Sequence, residues 1–519
     1  MGELTPFGNE PFRNFSLTEE RDQMLDSLAQ VRQEMGRRYP LWIAGRPLMT
    51  ERGIASLNPS RSREIVGWVA QADQELAEQA VQAAARAFVD WSRTSASERS
   101  RLLIKAAAVM RRRKGELTAW EVFEAGKNWA EADADVAEAI DFLEYYARSL
   151  RELSQPLPLT PWPGEENEAF WIPLGVGVVI PPWNFPLAIL TGMTAAAVAA
   201  GNTVVLKPAS ATPVVAAKFM EIIHAAGWPR EVVQFLPGSG QEIGDYLVSH
   251  PLTRFVSFTG SRDVGVRICE LAAKVGKGQR WLKRVVAEMG GKDAIIVDET
   301  ADLDLAASEI VRSAYGFQGQ KCSACSRVIA VDQVYERLLS AVAERTAALK
   351  VAPAWEADCD VGPVIERAAF DRVMRYMELG KGEGRLVLGG AEAAVGEEGY
   401  YIQPTIIADV DPRARIAQEE VFGPLLAFIR VRDFDEALAV ANDTDYGLTG
   451  GVFSAQRSRL EQARREFHVG NLYLNRKCTG ALVGVQPFGG FNLSGTDAKT
   501  GCSEYLKNFM QIKAVSERF

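Results

Sequence analysis

Apolar residues recur at intervals of three and four through ADQELAEQAVQAAARAFVDW and RSRLLIKAAAVMRRRKGEL, so residues 17–155 read mostly as helices, each with one apolar face. Such faces need a sheet to cover. The period then changes: VGVVIP, NTVVLKP, VVQFLPG and RFVSFTGS are short β-branched or aromatic runs that end at Pro or Gly, with helical patterns between them. That alternation predicts a parallel α/β unit. A second series runs through DAIIVD, RVIAVD, LVLGG, LLAFIRV and GGVFSA, interleaved with helices such as YERLLSAVAERTAALK, and predicts a second unit of the same class. Two stretches fit neither pattern. SQPLPLTPWPGEENEAFWIPLG, rich in proline and aromatics, reads as an extended arm, and LKNFMQIKAVSERF as an edge strand of the kind that subunits exchange.

Composition narrows the picture. A chain of 519 residues is too long for one core and suggests about three folding units. With 47% hydrophobic and 24% charged residues it has the profile of an ordinary folded protein. A net charge of -9 argues against a broad phosphate-binding surface, so nucleic acid is not an expected partner. The six cysteines, at 269, 322, 325, 359, 478 and 502, form no disulfide framework, and a reducing, cytoplasmic setting is expected. MGELTPFGNEPFRN lacks the basic-then-apolar order of a leader, and Pro6 stands where a myristoylation signal needs Ser or Thr. The most apolar stretch, 174–206, is broken by Pro181, Pro182, Asn184 and Pro186, which speaks against membrane insertion.

Several residues carry possible chemistry, each beside a plainer reading. Gly260 and Ser261, with Gly265, form a turn from a strand into a helix that would aim backbone N–H groups at a phosphate, or else a simple glycine connection. Lys207, at the end of a buried-looking strand, points into a ligand crevice or out to solvent. Cys322, in FQGQKCSACSR, has glycine and small polar neighbours that leave room beside a nucleophilic sulfur. The CSAC spacing equally allows a redox pair or half a zinc site. Zinc finds no second half, since His224, His250 and His468 are isolated, so no metal is expected. Glu288, between a β-like run and a double glycine, is a carboxylate able to deprotonate water, or a capping acid. Asn184, in PPWNFP, is an oxyanion donor or a turn residue.

Together PWNFP, LKP, FTGS, EMGGK, GQKCS, EEVFGP and PFGGFNLSG follow one another in the order of the aldehyde dehydrogenase signatures, and the resemblance covers residues 40–519. It implies an α/β aldehyde dehydrogenase fold of two parallel-sheet, Rossmann-like domains and a small β oligomerisation arm. The dinucleotide-binding domain would comprise residues 1–154 and 175–289, the catalytic domain 290–488, and the arm 155–174 and 489–519. Cys322 resembles the family's nucleophile, Asn184 its oxyanion donor and Glu288 its activator of water. Lys207 and Glu420 would bind the riboses of NAD, Phe422 would pack beside the nicotinamide ribose, and Trp183 with Ser261 would hold the pyrophosphate, Gly260 and Gly265 letting the backbone come close.

EAGKNWAEADADVAEAIDF, GFQGQKCSACSR and NRKCTGALVGVQPFGGFNLSGT resemble most the 1-pyrroline-5-carboxylate dehydrogenase subgroup. That implies glutamate γ-semialdehyde as substrate, a place in proline catabolism next to a proline-oxidising enzyme, and a homo-oligomer built from dimers. Ser323, Gly480 and Ala481 would anchor the substrate carboxylate, Phe185 and Phe488 would line its aliphatic middle, and Glu124 would meet its ammonium. Two departures stand out. Ser210 replaces a glutamate found three residues beyond the lysine in many NAD-preferring relatives, so NADP is expected to be accepted too. Cys325, three residues past the nucleophile, raises a Cys322–Cys325 pairing that is read as incidental.

Overall fold

A computed structural model describes residues 4–519; the first three, which open the segment read as leaderless, lie outside the described residues. Five parallel strands form the heart of the first sheet, in the order Arg284–Glu288, Thr253–Thr259, Val176–Ile180, Thr203–Leu206 and Val233–Phe235. The four β runs expected in this region all lie in it. Each residue of Thr203–Leu206 is buried, and its side chains alternate between two cores: Val204 and Leu206 join the cluster under the helices Trp129–Leu153 and Ala188–Ala199, while Val205 joins the cluster under Gln74–Trp91. Cover on both faces explains why these strands read as unbroken apolar runs.

The region expected to be mostly helical holds five strands as well. Leu41–Ile43 and Arg46–Leu48 extend the first sheet antiparallel, and Arg37–Tyr39, Gly53–Asn58 and Arg61–Ala70 make a separate three-stranded sheet. Pro40, Pro47, Gly45, Gly53 and the Asn58–Pro59–Ser60 turn interrupt helical hydrogen bonding throughout this stretch, and short strands fit between such breaks.

The second sheet runs Arg385–Leu388, Thr405–Ala408, Leu425–Val431, Cys325–Val331, Asp293–Val297, Thr449–Phe453 and Asn471–Leu474, parallel except for its first pair. Thr405–Ala408 and Asn471–Leu474 were not among the expected strands. The two odd stretches pair with each other: Glu165–Pro173 lies antiparallel to Met510–Arg518, from Met510 opposite Pro173 to Arg518 opposite Glu165. Among the described residues no helix is long and apolar enough to cross a membrane; residues 174–206 form a strand, a helix and a strand.

Candidate active site

The helix Leu303–Tyr315 ends in a backbone that L-residues seldom adopt: Phe317, Gln318 and Gly319 have φ of 48°, 57° and 68°. Consecutive left-handed residues cost free energy, and surrounding contacts hold them in place. The Gln318 amide donates to the carbonyls of Gly126 (2.9 Å) and Pro363 (2.7 Å), and a Cβ at Gly319 would stand 2.4 Å from the Gly423 carbonyl. This turn delivers Cys322, half-buried, just ahead of the strand Cys325–Val331. Asn184 is buried beside it and donates Nδ2–H to the Gln320 carbonyl at 3.0 Å, which leaves the second amide hydrogen for another acceptor. Burial pushes the Cys322 thiol up from its ordinary value, and the carboxylates of Asp293, Glu420 and Glu288 push it further, against the backbone N–H of Ser323.

Glu288 ends the strand Arg284–Glu288 and faces a loop that only glycines let come so close. Its Oε2 accepts the Gly490 N–H at 3.1 Å, while Oε1 is buried with no hydrogen-bond partner. A Cβ at Gly489 or at Gly495 would stand 3.0 Å from Oε1. Burial holds this carboxyl well above the usual carboxylate range, with the Gly490 N–H and Lys499 pulling it down and Asp497 pushing it up. A carboxylate with one bare oxygen and a raised proton affinity is suited to take a proton from water.

The remaining candidate residues lie in or beside the connections of the two sheets. Lys207 directly follows Thr203–Leu206, its N–H held by the Val179 carbonyl (2.9 Å), and burial lowers its ammonium to about 8. Ser210, three residues on, is exposed. Thr253–Thr259 turns through Gly260 into the helix Arg262–Ala273, and Ser261 sits at that helix's N-cap with no side-chain capping bond. In its first turn Gly265 packs so tightly that a Cβ would lie 2.4 Å from the Met289 sulfur. From the second sheet's side, Glu420 accepts the Gly291 N–H (3.0 Å), and burial raises its carboxyl to about 7. Phe422 has a left-handed φ of 57° and meets Trp183 edge-on, ring centres 5.5 Å apart.

The family model described as Aldehyde dehydrogenase family matches residues 42–515. The chain belongs to this family. A 1-pyrroline-5-carboxylate dehydrogenase of Geobacillus thermodenitrificans (strain NG80-2) is 59% identical over 516 residues, 99% of this chain and all of that protein. The solved structure of a 1-pyrroline-5-carboxylate dehydrogenase from Thermus with bound NAD is 58% identical, covers 99% of this chain and 100% of that one, and superimposes with a TM-score of 0.98. Proline utilization A from Bdellovibrio bacteriovorus is 44% identical over 99% of this chain, with a TM-score of 0.97, and this chain matches 53% of its length.

In this aldehyde dehydrogenase a second loop meets the nucleophile's loop. The Ser323 carbonyl accepts from the Thr449 hydroxyl (3.3 Å) and the Cys478 thiol (3.5 Å), which brings Cys478 against the residue that follows Cys322. Gly480 has φ 73°, and Ala481 follows it. Phe185 faces Phe317, and the Lys127 ammonium lies 4.4 Å from the centre of its ring. Phe488 exchanges backbone hydrogen bonds with Thr500 (2.9 and 2.8 Å).

Glu124 requires correction. It is buried in the helix Lys114–Ala125, where Oε1 accepts the Ser56 hydroxyl (2.6 Å) and the Val214 N–H (2.7 Å), and Oε2 accepts the Val215 N–H (2.6 Å). It caps the helix Pro213–Ala225 and is not free to meet an ammonium group. Burial raises it to about 7. Cys325 opens a strand with its sulfur toward the Arg327 carbonyl (3.4 Å), and all six cysteines are unbridged.

Sequence reasoning missed a buried charged group behind this pocket. Lys127 pairs with Asp135 and with Glu121 (3.2 Å), and Asp135 also accepts the Ala188 N–H (2.6 Å), which fixes the first turn of the helix that follows PWNFP. Glu131 pairs with Lys321, the residue before the nucleophile, at 2.6 Å. A signal existed: Glu131, Asp135 and Glu138 recur at four and three on one helical face, and acids so placed along a largely buried helix call for partners.

Proposed function

We propose that this aldehyde dehydrogenase oxidises L-glutamate γ-semialdehyde, the open form of 1-pyrroline-5-carboxylate, to L-glutamate with NAD, the second step of proline catabolism. The observation that carries this reading is the bond from Cys478 to the Ser323 carbonyl, which ties the head of the 478–481 segment to the nucleophile's own loop. Backbone N–H groups of Gly480 and Ala481, with the Ser323 hydroxyl, are then available to the carboxylate at the far end of a short chain, and Phe185 and Phe488 to its methylenes. The family, and relatives of that name over nearly the full chain, support the same reading.

Cys322, once deprotonated, attacks the aldehyde carbon, and the oxyanion formed takes the second amide hydrogen of Asn184 and the backbone N–H of Cys322. Bound in the crevice, oxidised NAD supplies the acceptor for the hydride that leaves this carbon. Glu288 then deprotonates the water that cleaves the thioester on Cys322, its bare Oε1 receiving the proton. The crevice suits a dinucleotide: Lys207 is a buried cation with no carboxylate at salt-bridge distance among the described residues, and the helix after Ser261 leaves its N-terminal amides without a side-chain cap. Lys207 and Glu420 would hold the riboses, Ser261 and Trp183 the pyrophosphate, Phe422 the nicotinamide end, and Gly260 and Gly265 would keep the approach open.

Residues 1–154 with 175–289 are proposed as the dinucleotide-binding domain, 290–488 as the catalytic domain, and 155–174 with 489–519 as the arm. The arm leaves Ile512 and Val515 exposed, which favours dimers as the building block of a homo-oligomer. Six unbridged cysteines suit a cytoplasmic setting. The likeness to a proline utilization A protein supports a proline-oxidising enzyme as the proposed partner. The deciding experiment compares kcat/KM for the semialdehyde with that for a chain-matched aldehyde lacking the amino acid end. A preference of roughly a hundredfold, the worth of two hydrogen bonds to a charged group, is expected, with competitive inhibition by glutamate. Equal rates would remove the carboxylate anchor and the substrate with it.

A further inference from the structure

Residues 4–17, a strap ahead of the helix Thr18–Glu34, have no regular secondary structure, yet Asn9, Glu10 and Arg13 fasten them to the helix Trp129–Leu153. The Glu10 N–H donates to Asp141 (2.7 Å) and the Arg13 N–H to Asp133 (2.8 Å). One side chain of the strap also reaches the substrate side. Asn9 Nδ2 donates one hydrogen to Asp141 (2.8 Å) and the other to the carbonyl of Val483 (2.9 Å), two residues past Ala481. Phe7 adds packing at the next position: a Cβ on Gly484 would lie 3.1 Å from its ring, and Phe7 itself stands edge-on to Tyr145 at 5.1 Å. The strap precedes the span matched by the family model, which begins at residue 42.

An amide is the side chain that fits this place, since it offers two hydrogens from one nitrogen; an aspartate would donate none and would face another carboxylate. We propose that Asn9 is a positioning residue for substrate selection, holding the 478–484 loop against the helix Trp129–Leu153 so that the loop's amides meet the substrate carboxylate. This rests on the reading of that loop as the carboxylate anchor. The strap thereby acts on the part of the reaction that distinguishes an amino-acid aldehyde from a plain one, and leaves the chemistry at Cys322 alone.

The test is Asn9→Ala in the full-length enzyme, assayed with the semialdehyde and with the chain-matched aldehyde, together with glutamate inhibition and Tm. KM for the semialdehyde and the inhibition constant of glutamate should each rise roughly tenfold, on the scale of one or two lost hydrogen bonds, with kcat and the matched aldehyde changed by less than about twofold. If Asn9→Ala lowers Tm enough to obscure this, Phe7→Ala loosens the same contact by another route and should give the same selective change at roughly threefold. An unchanged semialdehyde KM, or an equal loss with both aldehydes, overturns the proposal while the parent's preference stands. A parent enzyme with no such preference sinks the anchor reading itself, and this inference with it.

Discussion

Lys207, Ser261 and Glu420, proposed to hold the dinucleotide in a crevice, and Ser323, Gly480 and Phe185, proposed to hold the substrate in a pocket, are assembled in opposite ways. On the crevice side two of the three groups sit where a strand ends or a helix begins, Lys207 one residue past Thr203–Leu206 and Ser261 at the N-cap of Arg262–Ala273, while Glu420 lies in the connection between Arg415–Gln418 and Leu425–Val431. Strand ends in a parallel sheet open into a crevice as a matter of topology, so position along the chain nearly fixes the role. On the pocket side nothing is local. Asn184 is set by Gln320, Ser323 by Thr449 and Cys478, Phe185 by Lys127, and Val483 by Asn9. The difference teaches that a site made from element ends can be read from sequence, whereas one made from loop-to-loop contacts needs the fold.

The strongest test of the comparison is the group that both halves share. Cys322→Ala should lower kcat by about four orders of magnitude or more, as loss of a covalent nucleophile does, while the dissociation constant for NAD, read by fluorescence titration, stays within about twofold. Loss of NAD binding in that variant would mean that the two halves are not separable at Cys322. Retained turnover would remove the covalent mechanism altogether.

Glu124 gives a sharper division, because sequence reasoning put it in the pocket and the structure puts it under a helix. Glu124→Ala strands two buried backbone N–H groups at the start of Pro213–Ala225 and should cost about 3 kcal/mol of stability in denaturant unfolding. The KM for the semialdehyde in the folded enzyme should stay within about twofold, because the lost interactions are internal. A selective rise in that KM with stability intact would return Glu124 to the substrate.

What was legible follows the same line. The parallel strands were readable because cover on both faces makes each an unbroken apolar run, and Cys322, Glu288 and Asn184 stood out as candidates because short motifs set them beside glycine or proline. Residues 37–70 were misread as helical, since strands of three to ten residues between prolines and glycines show little period of their own. The Lys127, Glu121 and Asp135 group stayed hidden for a different reason. A buried charge has meaning only through its partner, and the partner of Asp135 that bears on the site, the Ala188 N–H, is 53 residues away.

Ser210 offers the smallest effect and probes the crevice half by itself. It lies exposed three residues beyond Lys207, with a hydroxyl where a carboxylate would repel a 2′-phosphate, so the parent enzyme should turn over NADP at a measurable rate. Ser210→Glu adds one negative charge at a solvent-facing position, where interactions are weak and screened. A loss of roughly five- to tenfold in kcat/KM for NADP, with NAD within about twofold, is the expected scale. Raising the ionic strength should shrink that loss, since salt screens exposed charges over a Debye length of about 10 Å at 0.1 M. If the parent already rejects NADP, a group other than residue 210 guards the 2′ position. The rule that chain position fixes the role on the crevice side would then fail at one of its own sites.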